Sequence, residues 1–149
     1  MVSAHMMVSM ITLSETTQQT RARPDAVFAL WADVDHWAEY DDGIEWARLA
    51  DDFRVGGRLT IKPRGVPRTK AEILIVEANR RFVNSSHLLG AKLRFDHTVV
   101  NQDNVTIVSV VVTLSGPLSF LWARLVGKGQ QADIEKSTAR LIARAEQES

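Results

Sequence analysis

Residues 105–126 read VTIVSVVVTLSGPLSFLWARLV and contain the change of structure that decides the fold. The first ten residues of this stretch are rich in Val, Ile and Thr, which favour a pleated strand over a helix. Gly116 and Pro117 stop the strand, and Pro117 suits the first turn of a helix, where its missing N–H would be unpaired anyway. Apolar residues then recur at helical spacing, namely Leu118, Leu121, Trp122, Leu125 and Val126. The sequence therefore predicts a strand that leads directly into a helix.

The pattern downstream predicts that one helical segment continues to the C-terminus. Gly127 and Gly129 interrupt it, and each costs about 1 kcal/mol relative to Ala inside a helix, so we expect a kink or a loosened turn there. Beyond them, one stripe of the helix is apolar or small: Ile134, Thr138, Leu141, Ile142 and Ala145. This stripe is expected to face the core. The charged residues Asp133, Glu135, Lys136, Arg140 and Arg144 are expected to face solvent.

The stretch upstream of residue 105 reads mainly as strands. Alternating patterns predict strands at 7–20, 44–49, 58–63, 69–78, 81–89 and 91–101, with a last one at 105–114. Pro24 begins a short helix that carries Val27, Phe28 and Trp31, and a second short turn follows it. Because the loops between strands are only a few residues long, an antiparallel meander is expected; parallel pairing would need longer crossovers.

Composition limits the function classes. A chain of 149 residues is expected to form one domain, and it is long enough to fold without a metal or a disulfide. Its 18 basic and 18 acidic residues balance, which argues against a dedicated nucleic-acid binder. The chain has no cysteine, which excludes a disulfide framework, a thiolate metal site and a cysteine nucleophile.

The N-terminal residues 1–6 are interpreted as expression-tag sequence, and residues 7–149 as one domain. No charged segment followed by an apolar run is present at the start of the chain, and no run of about 18 apolar residues occurs. We therefore expect neither a secretion signal nor a membrane span, and a cytoplasmic location.

Four stretches of this sequence resemble a known superfamily: residues 24–37, 53–57, 93–97 and 115–118. Between about Thr12 and Glu146 the chain resembles START-like (SRPBCC) proteins, in particular the bacterial polyketide cyclase/dehydrase and lipid-transport-like branch. The resemblance implies an α+β helix-grip fold. In that fold a seven-stranded antiparallel sheet curves around a long C-terminal helix, with two short helices after the first strand and a ligand cavity between sheet and helix.

The resemblance also implies a range of functions. The first hypothesis is a domain that binds a hydrophobic small molecule (a lipid, a polyketide or an aromatic intermediate), with cyclase or dehydratase (lyase) chemistry if it is an enzyme. The alternatives are a non-catalytic carrier or sensor and an Hsp90-activator-like protein-interaction domain. No cofactor is expected. The sequence does not decide whether the protein forms a homodimer.

Candidate cavity residues follow from these expectations. Aromatic and apolar wall candidates are Phe28, Trp31, Trp37, Tyr40, Trp46, Phe82, Phe95, Leu118 and Trp122. His97 alternates with Phe95 on the face opposite Arg94 and Asp96, so it should lie on the concave face. There it is either a core residue or the polar contact of the cavity, and it is the candidate general base if the protein is an enzyme. Tyr40 or Asn84 would then donate to an enolate oxygen.

The pattern does not decide which face of the strand at 81–89 points into the cavity. In residues 81–89, one set of side chains is Val83, Ser85, His87 and Leu89, and the other is Phe82, Asn84, Ser86 and Leu88. If the second set looks inward, Asn84 and Ser86 become hydrogen-bonding groups of the cavity.

Other sites have weaker support. No two histidines have the spacing of a zinc-binding helix, so no metal site is expected, and the pairs Asp33/Asp35 and Asp41/Asp42 are interpreted as cap and turn residues. No glycine-rich phosphate loop or nucleophile elbow is present. Basic residues surround one hairpin, at Arg58, Lys62, Arg64, Arg68 and Lys70. They form either a solubilising edge or a docking patch for an acidic carrier or an anionic group.

Overall fold

The computed structural model describes residues 10–148. Its strands are β1 (Met10–Thr20), β2 (Ile44–Leu49), β3 (Arg58–Pro63), β4 (Thr69–Glu77), β5 (Arg81–Leu88), β6 (Ala91–Gln102) and β7 (Val105–Ser115). The α-helices are α1 (Pro24–Ala32), α2 (Ser119–Val126) and α3 (Gln130–Glu148), and a 3₁₀ helix spans Val34–Glu39. The proposed tag at 1–6, and the first residues of the strand expected from residue 7, lie outside the described residues.

The strands form one antiparallel sheet in the order β1-β7-β6-β5-β4-β3-β2. Strands β2 to β7 follow one another as a meander, as expected from their short connections. β1 closes the far edge by pairing with β7 along its whole length, from Met10 opposite Ser115 to Thr20 opposite Thr106. The sheet and the long C-terminal helix confirm the α+β helix-grip fold.

The C-terminal segment differs from expectation in one respect: it consists of two helices. Gly127 ends α2, and Gly129 has a φ of +83°, a conformation that glycine adopts far more readily than other residues. The single helix expected here is therefore broken rather than kinked. Because of this break, the axis of α3 need not follow that of α2.

The core lies between α3, α1 and the concave face of the sheet. The buried side of α3 carries Ile134, Thr138, Leu141, Ile142 and Ala145, which is the stripe that the helical spacing predicted. α3 packs mainly against β1 and α1. It contacts β7 less, and space remains between it and β5 and β6.

Candidate functional site

A cavity of about 210 Å³ opens between α3 and the middle of the sheet. Residues from three parts of the fold line it. The sheet contributes Ile44, Ile61, Pro63, Thr69, Asn84, Ser86, Leu88, Leu93, Phe95, His97 and Val110. The short helices and the loop after them contribute Trp31, Trp37, Tyr40, Asp41 and Gly43, and α3 contributes Gln130, Asp133, Ile134, Ser137, Thr138 and Leu141.

The aromatic floor of the cavity is fixed by hydrogen bonds from its own polar atoms. The Trp37 indole Nε1 donates to the Trp31 carbonyl oxygen at 3.0 Å, and the Tyr40 hydroxyl donates to the Leu30 carbonyl oxygen at 3.1 Å. Burial raises the pKa of Tyr40 above its usual value, so the phenol stays protonated. The only hydrogen of that hydroxyl is therefore held by Leu30, and it does not point at an enolate oxygen as the sequence led us to expect.

His97 lies among aromatic rings at the base of the cavity. Its ring centroid is 4.8 Å from that of Phe82, with the planes nearly parallel, and 5.2 Å from that of Trp31. Its Nδ1 is 3.0 Å from the Phe82 carbonyl oxygen. Because that oxygen can only accept, Nδ1 carries the hydrogen. Burial lowers the pKa of His97 to about 4, so near neutral pH the ring is uncharged and Nε2 presents a lone pair.

Asn84 shows which face of β5 looks inward. Asn84, Ser86 and Leu88 line the cavity, whereas His87 is exposed on the other face. The Asn84 side chain is 2% exposed, and its Oδ1 has no hydrogen-bond partner among residues 10–148. A buried polar atom without a partner is uncommon in folded proteins. This oxygen is the most unusual polar group of the cavity.

Acidic side chains lie near Gly43, in a part of the wall that sequence reasoning did not single out. The Cβ that Gly43 lacks would lie 3.2 Å from Asp41 Oδ1 and 3.6 Å from Asp133 Oδ2. Asp41 Oδ1 also accepts from the Gly43 N–H at 2.9 Å, which fits the expected turn role. Burial, with smaller contributions from Asp133 and Asp42, raises the pKa of Asp41 to about 6.

The sequence did contain one signal for these residues. Gln130, Asp133, Ile134, Ser137, Thr138 and Leu141 recur three or four positions apart and lie on one face of α3. The charge of Asp133 alone favours a place on the solvated face. Asp133 is indeed exposed, but it lies where the helix passes the opening of the cavity.

The candidate wall residues separate into two groups. Trp31, Trp37, Tyr40, Asn84, Phe95 and His97 line the cavity, whereas Phe28, Trp46, Phe82, Leu118 and Trp122 do not. Phe28 and Phe82 belong to the core beneath it, and both contact the Phe53 ring. Trp46 lies under the guanidinium of Arg48.

Leu118 and Trp122 have a structural role at the turn between β5 and β6. Trp122 Nε1 donates to the Leu89 carbonyl oxygen at 2.7 Å. The Leu118 side chain packs against Gly90 so closely that an added Cβ there would lie 2.6 Å from Leu118 Cδ1. These contacts hold α2 against the sheet.

Among residues 10–148, no group of three or more His, Cys, Asp or Glu side chains is arranged to hold a metal ion. No helix in the same range is long and apolar enough to cross a membrane. Part of the basic hairpin is neutralised within the chain, since Lys62 Nζ lies 3.0 Å from Glu45 and Arg58 Nε 3.4 Å from Asp51.

Comparison with solved structures identifies relatives in fold. A point mutant of norcoclaurine synthase from Thalictrum flavum, in complex with a transition-state analogue, matches with a TM-score of 0.73 and 11% identity, over 95% of this chain and 98% of that one. A hypothetical protein from Helicobacter pylori matches with a TM-score of 0.74 and 15% identity, over 92% and 88% of the two chains. A protein from Thermus thermophilus matches with a TM-score of 0.71 and 17% identity, over 91% and 98%.

Comparison at the level of sequence finds no relative of this chain. No protein-family model matches the chain, and no curated protein matches it. At identities of 11–17%, the structural matches establish the fold and leave the chemistry to the site itself. The chain has the helix-grip fold of START-like proteins.

Proposed function

We propose that this protein binds a small, largely apolar molecule in the cavity between α3 and the sheet. The observation that carries the proposal is the unpartnered Oδ1 of Asn84, which lies in a cavity otherwise walled mainly by aromatic and aliphatic side chains. Apolar pockets with a few convergent polar groups are typical of small-molecule sites. The norcoclaurine synthase of the same fold is a protein whose structure holds a transition-state analogue.

The size of the cavity favours a compact ligand. Its volume of about 210 Å³ is below the range of about 300–1,000 Å³ that is usual for drug-sized ligands. It exceeds the roughly 150 Å³ of an engineered apolar cavity that holds benzene. A molecule with one aromatic ring therefore fits this volume better than a polyketide or a lipid, although the opening would let a longer tail extend outward.

Binding is a better supported role than cyclase or dehydratase chemistry. A general base works best when its pKa is near the operating pH, and burial lowers that of His97 to about 4. His97 Nε2 is then better suited to accept a hydrogen bond than to remove a proton from carbon. If His97 were nevertheless a base, His97→Ala would abolish turnover and retain ligand affinity.

The protein-interaction alternative has one observation in its favour. Large apolar side chains are exposed around α2 and the neighbouring turn, namely Leu89, Phe120, Leu121 and Leu125. Such surfaces can mark interaction sites. A protein that acts only through its surface has no need of an internal cavity, and here the interior contains one.

A titration with benzyl alcohol, followed by two-dimensional NMR of the ¹⁵N-labelled protein, tests the proposal. We expect saturable shifts of the Trp37 indole and Asn84 side-chain signals. Ser137→Phe places a ring on the cavity side of α3 and should abolish these shifts, whereas Ala139→Phe, on the exposed side of the same helix, should leave them unchanged. Shifts confined to the exposed surface of α2 would favour the interaction alternative.

A further inference from the structure

The hydrogen-bonding groups of the cavity are biased towards acceptors. Two of its three aromatic donors are already committed, because the Trp37 N–H and the Tyr40 O–H are both bonded to backbone carbonyls of α1; no bond from the Trp31 indole N–H is found within residues 10–148. Asn84 Oδ1 is an acceptor without a partner among the described residues. His97 Nε2 is a second acceptor, since its Nδ1 carries the hydrogen, and no bond to Nε2 is found within residues 10–148. The donors that remain on the lining side chains are the Trp31 indole N–H, hydroxyls and amides, none of them charged.

Asp41 and Asp133 add two acidic acceptors near the opening of the cavity. One oxygen of each lies within 4 Å of the point beside Gly43 where a Cβ is lacking. Lys136 and Arg140 of α3 form their salt bridges with Asp42, at 3.3 and 2.6 Å, and the charge of Arg140 favours ionised Asp41 more weakly than burial opposes it. Within the described part of the chain, no salt bridge to either carboxylate is found.

A purely structural role accounts for these carboxylates only in part. Asp133 lies in the first turn of α3, where a negative charge stabilises the helix, and Asp41 caps the turn at Gly43. Neither role requires the two carboxylates to lie near the same point beside Gly43. Placing like charges near one another is unfavourable unless a positive group lies between them.

We infer that the cavity binds a small apolar amine, whose ammonium group lies between Asp41 and Asp133 and whose body lies against the aromatic floor. This inference rests on the proposed function and names the ligand class for the same cavity. Hydroxyl or N–H groups on the body of the ligand would donate to Asn84 Oδ1 and His97 Nε2. The unpartnered Asn84 oxygen is an independent sign that the ligand brings donors, because it lies on the sheet, apart from the acidic pair.

Three compounds of similar size and different charge test the inference: benzylamine, benzyl alcohol and benzoate. The titrations are done at pH 8, above the pKa of about 6 for Asp41, so that this carboxylate is charged. A hydrogen bond to a charged group is worth enough for about a tenfold preference in affinity, so benzylamine should bind about ten times more tightly than benzyl alcohol, and benzoate more weakly than either. Calorimetric titration measures all three, and the preference should fall as salt is added.

Asp133→Asn and Asp41→Asn should each reduce the ratio of the benzylamine affinity to the benzyl alcohol affinity from about ten towards one. Asp103→Asn, in the β6–β7 hairpin outside the cavity lining, is the control for net charge and should change neither affinity. Because Asp133 is exposed, its variant is expected to fold even if Asp41→Asn does not.

The outcomes separate the two proposals. Equal affinities for the three compounds, or an amine preference that survives in Asp133→Asn, would refute the amine inference and leave the proposed function standing. No saturable binding of any of the three compounds would refute both.

Discussion

Replacing Asn84 by Leu should stabilise the protein and weaken ligand binding at the same time. The two side chains have nearly the same size and shape, so the change removes polarity with little change of volume. Asn84 is buried, and its Oδ1 lacks a partner among the described residues. In a protein selected for stability alone, an apolar residue would be favoured here; a functional site can retain such a cost.

The magnitude follows from the burial of that oxygen. Leaving a buried acceptor unsatisfied costs about 1–3 kcal/mol, and an apolar group of the same shape avoids this cost. We therefore expect Asn84→Leu to raise the free energy of unfolding by about 1–2 kcal/mol. For a domain of this size, each kcal/mol corresponds to about 2–4 °C in melting temperature, so the melting temperature should rise by roughly 3–6 °C.

Urea unfolding and thermal melting measure the stability change, and the benzyl alcohol titration measures the change in binding. Ser14→Ala is a matched control, because Ser14 Oγ is also buried without a partner among residues 10–148 but lies outside the cavity lining. Its removal should leave benzyl alcohol affinity unchanged. If Asn84→Leu lowered stability by more than about 1 kcal/mol, Asn84 would be a satisfied structural residue and the reasoning would be wrong.

Three further predictions concern the core, the pH response and the glycines. The folded-state pKa of His97 (about 4) lies below its ordinary 6.5, so the unfolded chain takes up the proton first and His97 lowers stability as the pH falls between these values, by up to about 3 kcal/mol. Urea unfolding at pH 7 and pH 4.5 should therefore show a smaller loss in His97→Phe than in the wild type. The raised pKa of Asp41 acts in the opposite direction over part of this range, but Asp41 is present in both proteins and does not affect the comparison. Equal losses of unfolding free energy in the two proteins would contradict the burial of His97. Leu141→Ala should lower the free energy of unfolding by about 2–5 kcal/mol, because Leu141 is buried on the inner face of α3. A loss under about 1 kcal/mol would mean that this face of the helix is not packed. Both Gly116 and Gly129 have positive φ, but an added Cβ at Gly116 would lie 2.8 Å from the Gly90 carbonyl oxygen, whereas at Gly129 it would meet nothing within 4 Å. In thermal melts Gly116→Ala should therefore be clearly less stable than Gly129→Ala, and similar melting temperatures would argue against the close approach of the two turns.

The fold could be predicted from the sequence because its signals are local. Period-two alternation and short loops predict strand bounds within one residue of those observed for β2 to β7. The proline after Gly116 marks the junction of sheet and helix. The sequence predicts only a kink or a loosened turn where the structure has a break between α2 and α3. Two glycines indicate a weakened helix, but the sequence does not show that Gly129 adopts a positive φ.

The cavity lining is harder to predict because it depends on which side chains meet across the fold. Alternation places Phe95 and His97 on the concave face, and both line the cavity. Aromatic character alone cannot separate Trp31, which lines the cavity, from Phe28, one turn earlier in the same helix. Trp122 meets the same criterion, yet its indole holds the turn at Leu89.

The acidic pair escapes prediction for a related reason. Asp41 and Asp133 are 92 residues apart in the sequence, and each has an ordinary local explanation as a turn or helix-end residue. Their proximity arises only when α3 passes over the loop that contains Gly43. A charged residue on an amphipathic helix is usually solvated, so the charge of Asp133 favours the solvated face even though its spacing places it beside the cavity residues of α3.

A crystal structure determined from crystals grown with benzyl alcohol would show whether the cavity beneath α3 holds a ligand. We expect ring density between Trp31 and Leu141, with the hydroxyl of the ligand within hydrogen-bond distance of Asn84 Oδ1 or His97 Nε2. Density for the ligand only on the outer surface, or a space beneath α3 filled by the side chains of the protein itself, would contradict this expectation.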